Sequence, residues 1–400
     1  MAAVWVILPR GRRRNCGESA LVSARPKLEP WPGGRPIGSA AGTAAAIRAA
    51  ASILAATPVP ASTAGTRCEP ATRLHQTLHR PMSKRSMPRL HTRISLETRA
   101  LIEFVLIPGL AAVLPWRLCF RLFRWIARWP WLYREHTHAA HAVAARHVAI
   151  ADRHDWAWRF RLCLLIDHSD FWLSRFRSDR WLAKFLDIER SALLSGPSLV
   201  LFFHSGPGMW PARALCQDGR RASFLSAPLQ PRSMGGSRIG HRYGRARLAE
   251  LARVTGLPIT FPPGAREQCR KILARGDSVL GMPDVPPDET RHLVTVPMFN
   301  RRGRFPGGLI ATATATSTPI MLLDFPPDLD QGRRRLVVVE CFMPGRGDPT
   351  PDIVAHWQRI VLQRSWSFTL WPMFDSFLEP DPGTPEPSAG DRPGPPSATQ

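Results

Sequence analysis

The chain has 400 residues, 44% of them apolar, and carries 54 Lys+Arg against 31 Asp+Glu, a formal net charge of +23. That balance points to an anionic partner, either nucleic acid or an acidic membrane surface. No apolar run of ~18 residues occurs, which excludes an ordinary polytopic membrane protein, and the seven Cys, odd in number and never spaced CxxC, favour a reducing compartment over a disulfide scaffold or structural zinc.

Residues 1–81 hold three acids against eleven Lys/Arg, set among Ala, Pro, Gly, Ser and Thr. No helical or strand period persists there long enough to build a core. The expectation is a disordered or over-extended start, with Met82 or Met87 as the true beginning. A targeting peptide is the alternative for the Arg-rich opening.

Residues 96–190 read as helical, aromatic and basic, and hold eight of the 14 Trp. Leu101–Leu114 is apolar but short, and Glu103 and Pro108 interrupt it, so one straight helix cannot span ~30 Å of hydrocarbon. Over Pro115–Arg134 a helix would place Arg117, Arg121, Arg124 and Arg128 on one face, beside Trp125 and Trp129. A basic stripe next to Leu and Trp is the pattern of a helix lying in a membrane interface. An ordinary amphipathic helix with a solvated Arg face is the competing reading. His136, His138, His141, His147, His154 and His168 lack a converging carboxylate or Cys, so no metal is expected and they read as surface or interface residues.

Residues 191–378 alternate strand and helix signals, the mark of an α/β fold with a mixed sheet flanked by helices. The strand candidates are Leu199–Phe203, Ala222–Leu225, Leu257–Phe261, Ser278–Met282, Leu293–Phe299, Ile320–Phe325 and Leu336–Phe342. Helices are expected around Tyr243–Thr255, Ala265–Arg275 and Gly308–Thr316. Residues 379–400 are Pro-rich and read as a disordered tail.

Two positions in this part suggest chemistry. His204 ends the run Ser-Leu-Val-Leu-Phe-Phe and opens a turn containing Ser205, Gly206 and Gly208. Groups at the carboxyl ends of strands in α/β sheets face ligands, and His can act as a general base near neutral pH. Asp284 tips the strand that follows Gly276. Phe299–Gly308, with Arg301, Arg302 and Arg304, reads as a basic, Gly-rich loop ahead of a helix N-terminus, suited to an anion. A solvated basic turn is its plainer reading.

The order of these pieces, strand–His204–turn, Gly276–strand–Asp284, then Phe305-Pro306-Gly307-Gly308 and Thr318-Pro319-Ile320, resembles the bacterial lipid A biosynthesis acyltransferases of the lauroyl/myristoyl type. These belong to the wider lysophospholipid acyltransferase superfamily. The likeness covers roughly residues 96–375. It implies a glycerolipid acyltransferase-like fold with an N-terminal membrane-associating region, at the cytoplasmic face of a bacterial inner membrane. It also implies transfer of a fatty acyl group from an acyl thioester, on acyl carrier protein or coenzyme A, to a lipid or glycolipid acceptor, with no further cofactor. No nucleic acid partner is expected, because the basic residues interleave with Trp and Leu in a helical stripe and no recognised nucleic-acid motif appears. His204 would be the base, and Arg304, Phe305, Gly307 and Gly308 would line the substrate. The family carries His-x4-Asp/Glu, whereas this chain has Met209 at the acid's position. Asp284 is the first candidate to replace that acid in space; failing it, the chain is a catalytically degenerate lipid-binding member of the fold.

Overall fold

A computed structural model describes residues 90–379 except 207, 208, 218 and 231–233. The expected disordered start (1–81) and the tail beyond Glu379 lie outside the described residues.

The first part is helical, as expected: α1 (Leu90–Ala100), a π-helical stretch (Leu101–Leu106), α2 (Ile107–Val113), α3 (Trp116–Ile126), α4 (Arg134–His147), α5 (Arg153–Phe176) and α6 (Asp179–Ala183). Pro108 sits where the π-helical stretch runs without a break into α2, and the upstream carbonyls of Glu103 and Phe104 accept the Tyr133 hydroxyl and the Trp172 indole N–H. The continuous helix expected over Pro115–Arg134 is corrected: α3 ends at Ile126, and Tyr133 takes a left-handed conformation (φ 48°) before α4. Glu103 holds that corner. Its carboxylate accepts the Tyr133 N–H at 2.6 Å, and the Tyr133 hydroxyl donates to the Glu103 carbonyl at 2.8 Å. Burial pushes the Glu103 carboxyl up to about 7, although Tyr133 and Arg99 pull it down.

Helix α5 begins at Asp152, whose side chain accepts the N–H groups of His154 and Asp155 at 2.7 and 3.2 Å. From Phe160 to Ser174 it is buried on every side, charges included. Each buried carboxylate has an arginine. Asp167 meets Arg247 at 2.6 Å, and Asp170 meets Arg334 at 2.5 and 3.2 Å. The Arg334 guanidinium also lies over the Trp210 and Trp116 rings, 4.5 and 4.9 Å from their centroids. His168, read as a surface or interface residue, is buried instead, and His136 is half-buried with its Nε2 enclosed; burial holds His136 down at about 4 and His168 well below its ordinary value.

The second part follows as β1 (Leu186–Ile188), β2 (Leu199–Leu201), α7 (Met209–Leu215), β3 (Ala222–Phe224), α8 (Arg238–Thr255), α9 (Ala265–Ala274), β4 (Ser278–Gly281), β5 (Leu293–Met298), β6 (Arg301–Pro306), α10 (Gly308–Ala315), β7 (Ile320–Asp324), β8 (Arg334–Phe342) and α11 (Thr350–Gln363). Six strands form one curled mixed sheet in the order β1-β8-β7-β2-β4-β3. Strands β7, β2, β4 and β3 run parallel, while β8 turns back antiparallel to β7 and pairs parallel with β1. The central strands are covered on both faces, which is why they read as unbroken apolar runs rather than alternating ones. Leu199, Leu201, Val279, Ile320 and Leu322 pack with α5 and α11 on one face; Val200, Leu280, Met321 and Leu323 pack with Leu251 of α8 on the other. The first of these cores contains residues of both the helical part and the sheet.

One expected strand fails. Over Leu257–Phe261 only Thr260 makes a bridge, to Leu225, because Pro258, Pro262 and Pro263 leave the segment short of donors. The expected basic loop Phe299–Gly308 is likewise corrected. It is the second half of an antiparallel hairpin, with Phe299 and Asn300 both at positive φ (51° and 59°) in its turn.

Candidate active site

The carboxyl ends of β2, β4 and β7 converge, and three side chains stand there: His204 after β2, Asp284 after β4 and Asp324 at the tip of β7. His204 and Asp284, 80 residues apart in sequence, are paired twice. Asp284 Oδ2 accepts the His204 backbone N–H at 2.7 Å, and Oδ1 lies 2.9 Å from Nδ1 of the ring. One carboxylate thus fixes both the backbone and the imidazole plane. Asp284 is fully buried and His204 is 5% exposed, so the pair sits where charge interactions are weakly screened. With Nδ1 facing a carboxylate, the ring carries its proton there and presents Nε2 as the basic nitrogen.

The turn itself is locked in place. A Cβ on Gly206 would lie 2.5 Å from the Phe325 Cβ, so only glycine lets the turn pass the end of β7. From the other side, the Thr369 N–H donates to the His204 carbonyl at 3.4 Å. This last contact comes from the C-terminal segment, which carried no chemical signal in the sequence.

Met209, five residues after His204, is buried with Val105, Phe171, Trp172, Met234 and Tyr243. It belongs to an apolar cluster. An acid introduced there would be desolvated among aromatic rings.

The four residues expected to line the substrate fare differently. Arg304 donates to the Ser376 carbonyl at 3.1 Å, and Phe305 is fully buried against Trp357 at 6.1 Å between ring centroids. Arg304 thus ties the hairpin to the C-terminal segment, and Phe305 ties it to α11. Arg301 and Arg302 turn to Glu379, through its carbonyl at 2.5 Å and its carboxylate at 3.3 Å. Gly307 and Gly308 open α10. A Cβ on Gly307 would lie 2.5 Å from Val294 Cγ2, so its smallness serves the packing of the hairpin. The next residue, Leu309, fills the space above Gly281, which sets the start of α10 beside the strand leading to Asp284.

Sequence reasoning missed a second charged group at this edge. Arg364 Nη2 donates to Asp324 Oδ2 at 2.9 Å; burial brings Arg364 down to about 9 and raises Asp324 to about 6, the pair's mutual attraction opposing both. Among the described residues, no three His, Cys, Asp or Glu side chains converge as a metal ion would require.

The basic stripe is partly rearranged. Arg117, Arg121 and Arg128 are exposed, with Leu118 (55%), Trp125 (52%) and Trp131 (42%) beside them. The three rings Trp125, Trp129 and Trp131 form a ladder with centroid spacings of 4.5 and 5.6 Å. Arg124 leaves the stripe: it donates to the Asp330 carbonyl at 3.3 Å and lies over Trp158. Among the described residues no helix is long and apolar enough to cross a membrane.

Comparison with protein-family models and with curated proteins returns no match.

Proposed function

We propose that the protein is a membrane-associated acyltransferase of the lipid A type, moving a fatty acyl group from a thioester to a lipid or glycolipid hydroxyl or amine. The observation that carries this reading is the double hold of Asp284 on His204. A base needs an orienting acid, and the family's own position for it is filled by Met209. Asp284 supplies the missing partner from another strand, in the geometry by which a buried carboxylate sets the tautomer of a catalytic histidine. His204 Nε2 removes the proton from the acceptor as its oxygen or nitrogen attacks the thioester carbonyl. The imidazolium formed is stabilised by Asp284 and returns the proton to the departing thiolate. The donor is acyl carrier protein or acyl-coenzyme A, and no further cofactor enters.

The test is acyl transfer by purified protein from acyl thioesters to a panel of lipid acceptors. Wild type should transfer and His204→Ala should lose about 10²–10⁴-fold. Equal transfer by both would remove His204 from the mechanism. Transfer by neither, to any acceptor, would favour the catalytically degenerate lipid-binding reading, in which the buried Met209 marks a site that has lost its acid.

The site of action we place at the cytoplasmic face of a bacterial inner membrane, reached by docking rather than spanning. Support comes from the ledge of Trp125, Trp129, Trp131 and Leu118 flanked by Arg117, Arg121 and Arg128. Arginines near an anionic leaflet each contribute ~1 kcal/mol. Changing these three to Glu, with Arg124 left to hold Asp330, should weaken binding to anionic liposomes by about 100-fold or more. Retention of that variant through high salt would make the Trp ledge the main anchor. Absence of wild-type binding would remove the membrane from the proposal.

A further inference from the structure

A cavity of ≈ 120 Å³ lies between α1, the π-helical stretch, the start of α4, α5 and the segment before α8, and its lining includes none of His204, Asp284 and Asp324. Its walls are largely apolar, from Leu96, Ala100, Phe104, Leu164 and Met234. Glu103, Tyr133, His136, His168 and Ser237 break them, and the more exposed Arg99, Arg134 and Glu135 also line the space. The Nε2 atoms of His136 and His168 are buried and have no hydrogen-bond partner.

His168 Nδ1 and the Tyr243 hydroxyl lie 3.1 Å apart, and the hydroxyl is also 3.3 Å from the His168 carbonyl and 3.4 Å from Arg247 Nη1. When the hydroxyl proton goes to the carbonyl, Nδ1–H donates to the hydroxyl and Nε2 is left as a lone pair, on a side chain only 2% exposed. Glu103, 6% exposed, adds a carboxylate whose Oε1 is engaged by the Tyr133 N–H. The nearby Arg99 is already paired with Glu135 at the mouth. Acceptors inside, aromatic faces of Phe104 and Tyr133 around them, and the cations Arg99 and Arg134 held at the more exposed rim rather than within: this lining selects a multivalent donor with positive charge.

We propose that this cavity is a second binding site, for a primary ammonium group carried on a short apolar stem. The ammonium donates to His168 Nε2 and to the Glu103 carboxylate, and the stem lies against Leu164 and Met234. Calorimetric titration of the full chain in mild detergent, at about pH 8 so that Glu103 is ionised, tests it with n-butylammonium chloride against 1-butanol as the neutral isostere. Wild type should bind the ammonium about tenfold or more tightly than the alcohol. Glu103→Gln keeps an oxygen for the Tyr133 N–H and should abolish that preference. Ala100→Leu fills the cavity and should abolish binding of both probes. His204→Ala should leave the isotherm unchanged, which separates this site from acyl transfer to an amine. Equal affinity for alcohol and ammonium, no binding by wild type, or a preference retained in Glu103→Gln would each overturn the assignment.

Discussion

Replacing Asp284 with asparagine should leave the protein folded and lower the rate of acyl transfer on the order of 10³-fold or more, with little change in KM. The amide oxygen of the introduced side chain can still accept the His204 backbone N–H, now bound by Oδ2 at 2.7 Å, so the turn keeps its anchor. The amide nitrogen then faces Nδ1 in place of Oδ1 and must donate to it. That forces the proton onto Nε2, the nitrogen the mechanism needs bare. The variant is thus a histidine in the right place and the wrong tautomer. Steady-state kinetics on the most active acceptor reads the outcome. A kcat within a few-fold of wild type would show that His204 works without this carboxylate, and would sink the role given to Asp284.

The second large effect concerns stability. Asp170→Ala should cost on the order of 3–5 kcal/mol, because it leaves the Arg334 guanidinium buried without its counter-charge. Arg334 is 1% exposed and Asp170 fully buried, so neither can turn to water. Burial raises the Asp170 pKa while Arg334 pulls it back, a balance that exists only with both partners present. Against a total stability of about 5–15 kcal/mol, such a loss leaves the fold close to its limit. Asp170→Leu combined with Arg334→Met should recover much of it, since a well-packed apolar pair avoids both desolvation costs. Urea unfolding followed by circular dichroism measures each. A single variant that loses less than about 1 kcal/mol would mean that water reaches the pair.

What the sequence makes legible follows the range over which each signal acts. Strands β2, β4 and β7 and helices α8, α9 and α10 are readable because apolar runs and helical spacing are local, and their ends fall within a few residues of expectation. The pairing of His204 with Asp284 can be named from sequence only as a candidate. Eighty residues separate the two, and the parallel register of β2 with β4 brings them together. The arginines of β6 mislead for a related reason. Arg302 and Arg304 alternate with the buried Gly303 and Phe305, which is strand period, but the glycines and the charge suggest a loop. Their actual partners, Ser376 and Glu379, lie more than seventy residues away. The arginine stripe keeps its expected spacing within α3 but not its expected extent, since α3 stops at Ile126 and Arg124 swings to Asp330. The charges inside α5 look like surface residues because nothing near them in sequence announces Arg247 or Arg334.

The bond from the Thr369 N–H to the His204 carbonyl has a bearing on how the protein comes into being. During synthesis, the turn at His204 leaves the ribosome long before residue 369 exists. Strand β7, which flanks β2, and Phe325, which seals Gly206, also arrive more than a hundred residues after it. The nascent chain can assemble the helices around α5 early, from contacts close in sequence, while the His204 turn waits for the last part of the chain. A product that ends before Thr369 lacks the bond that closes this turn, so whatever the His204–Asp284 pair does begins only once residue 369 has been made.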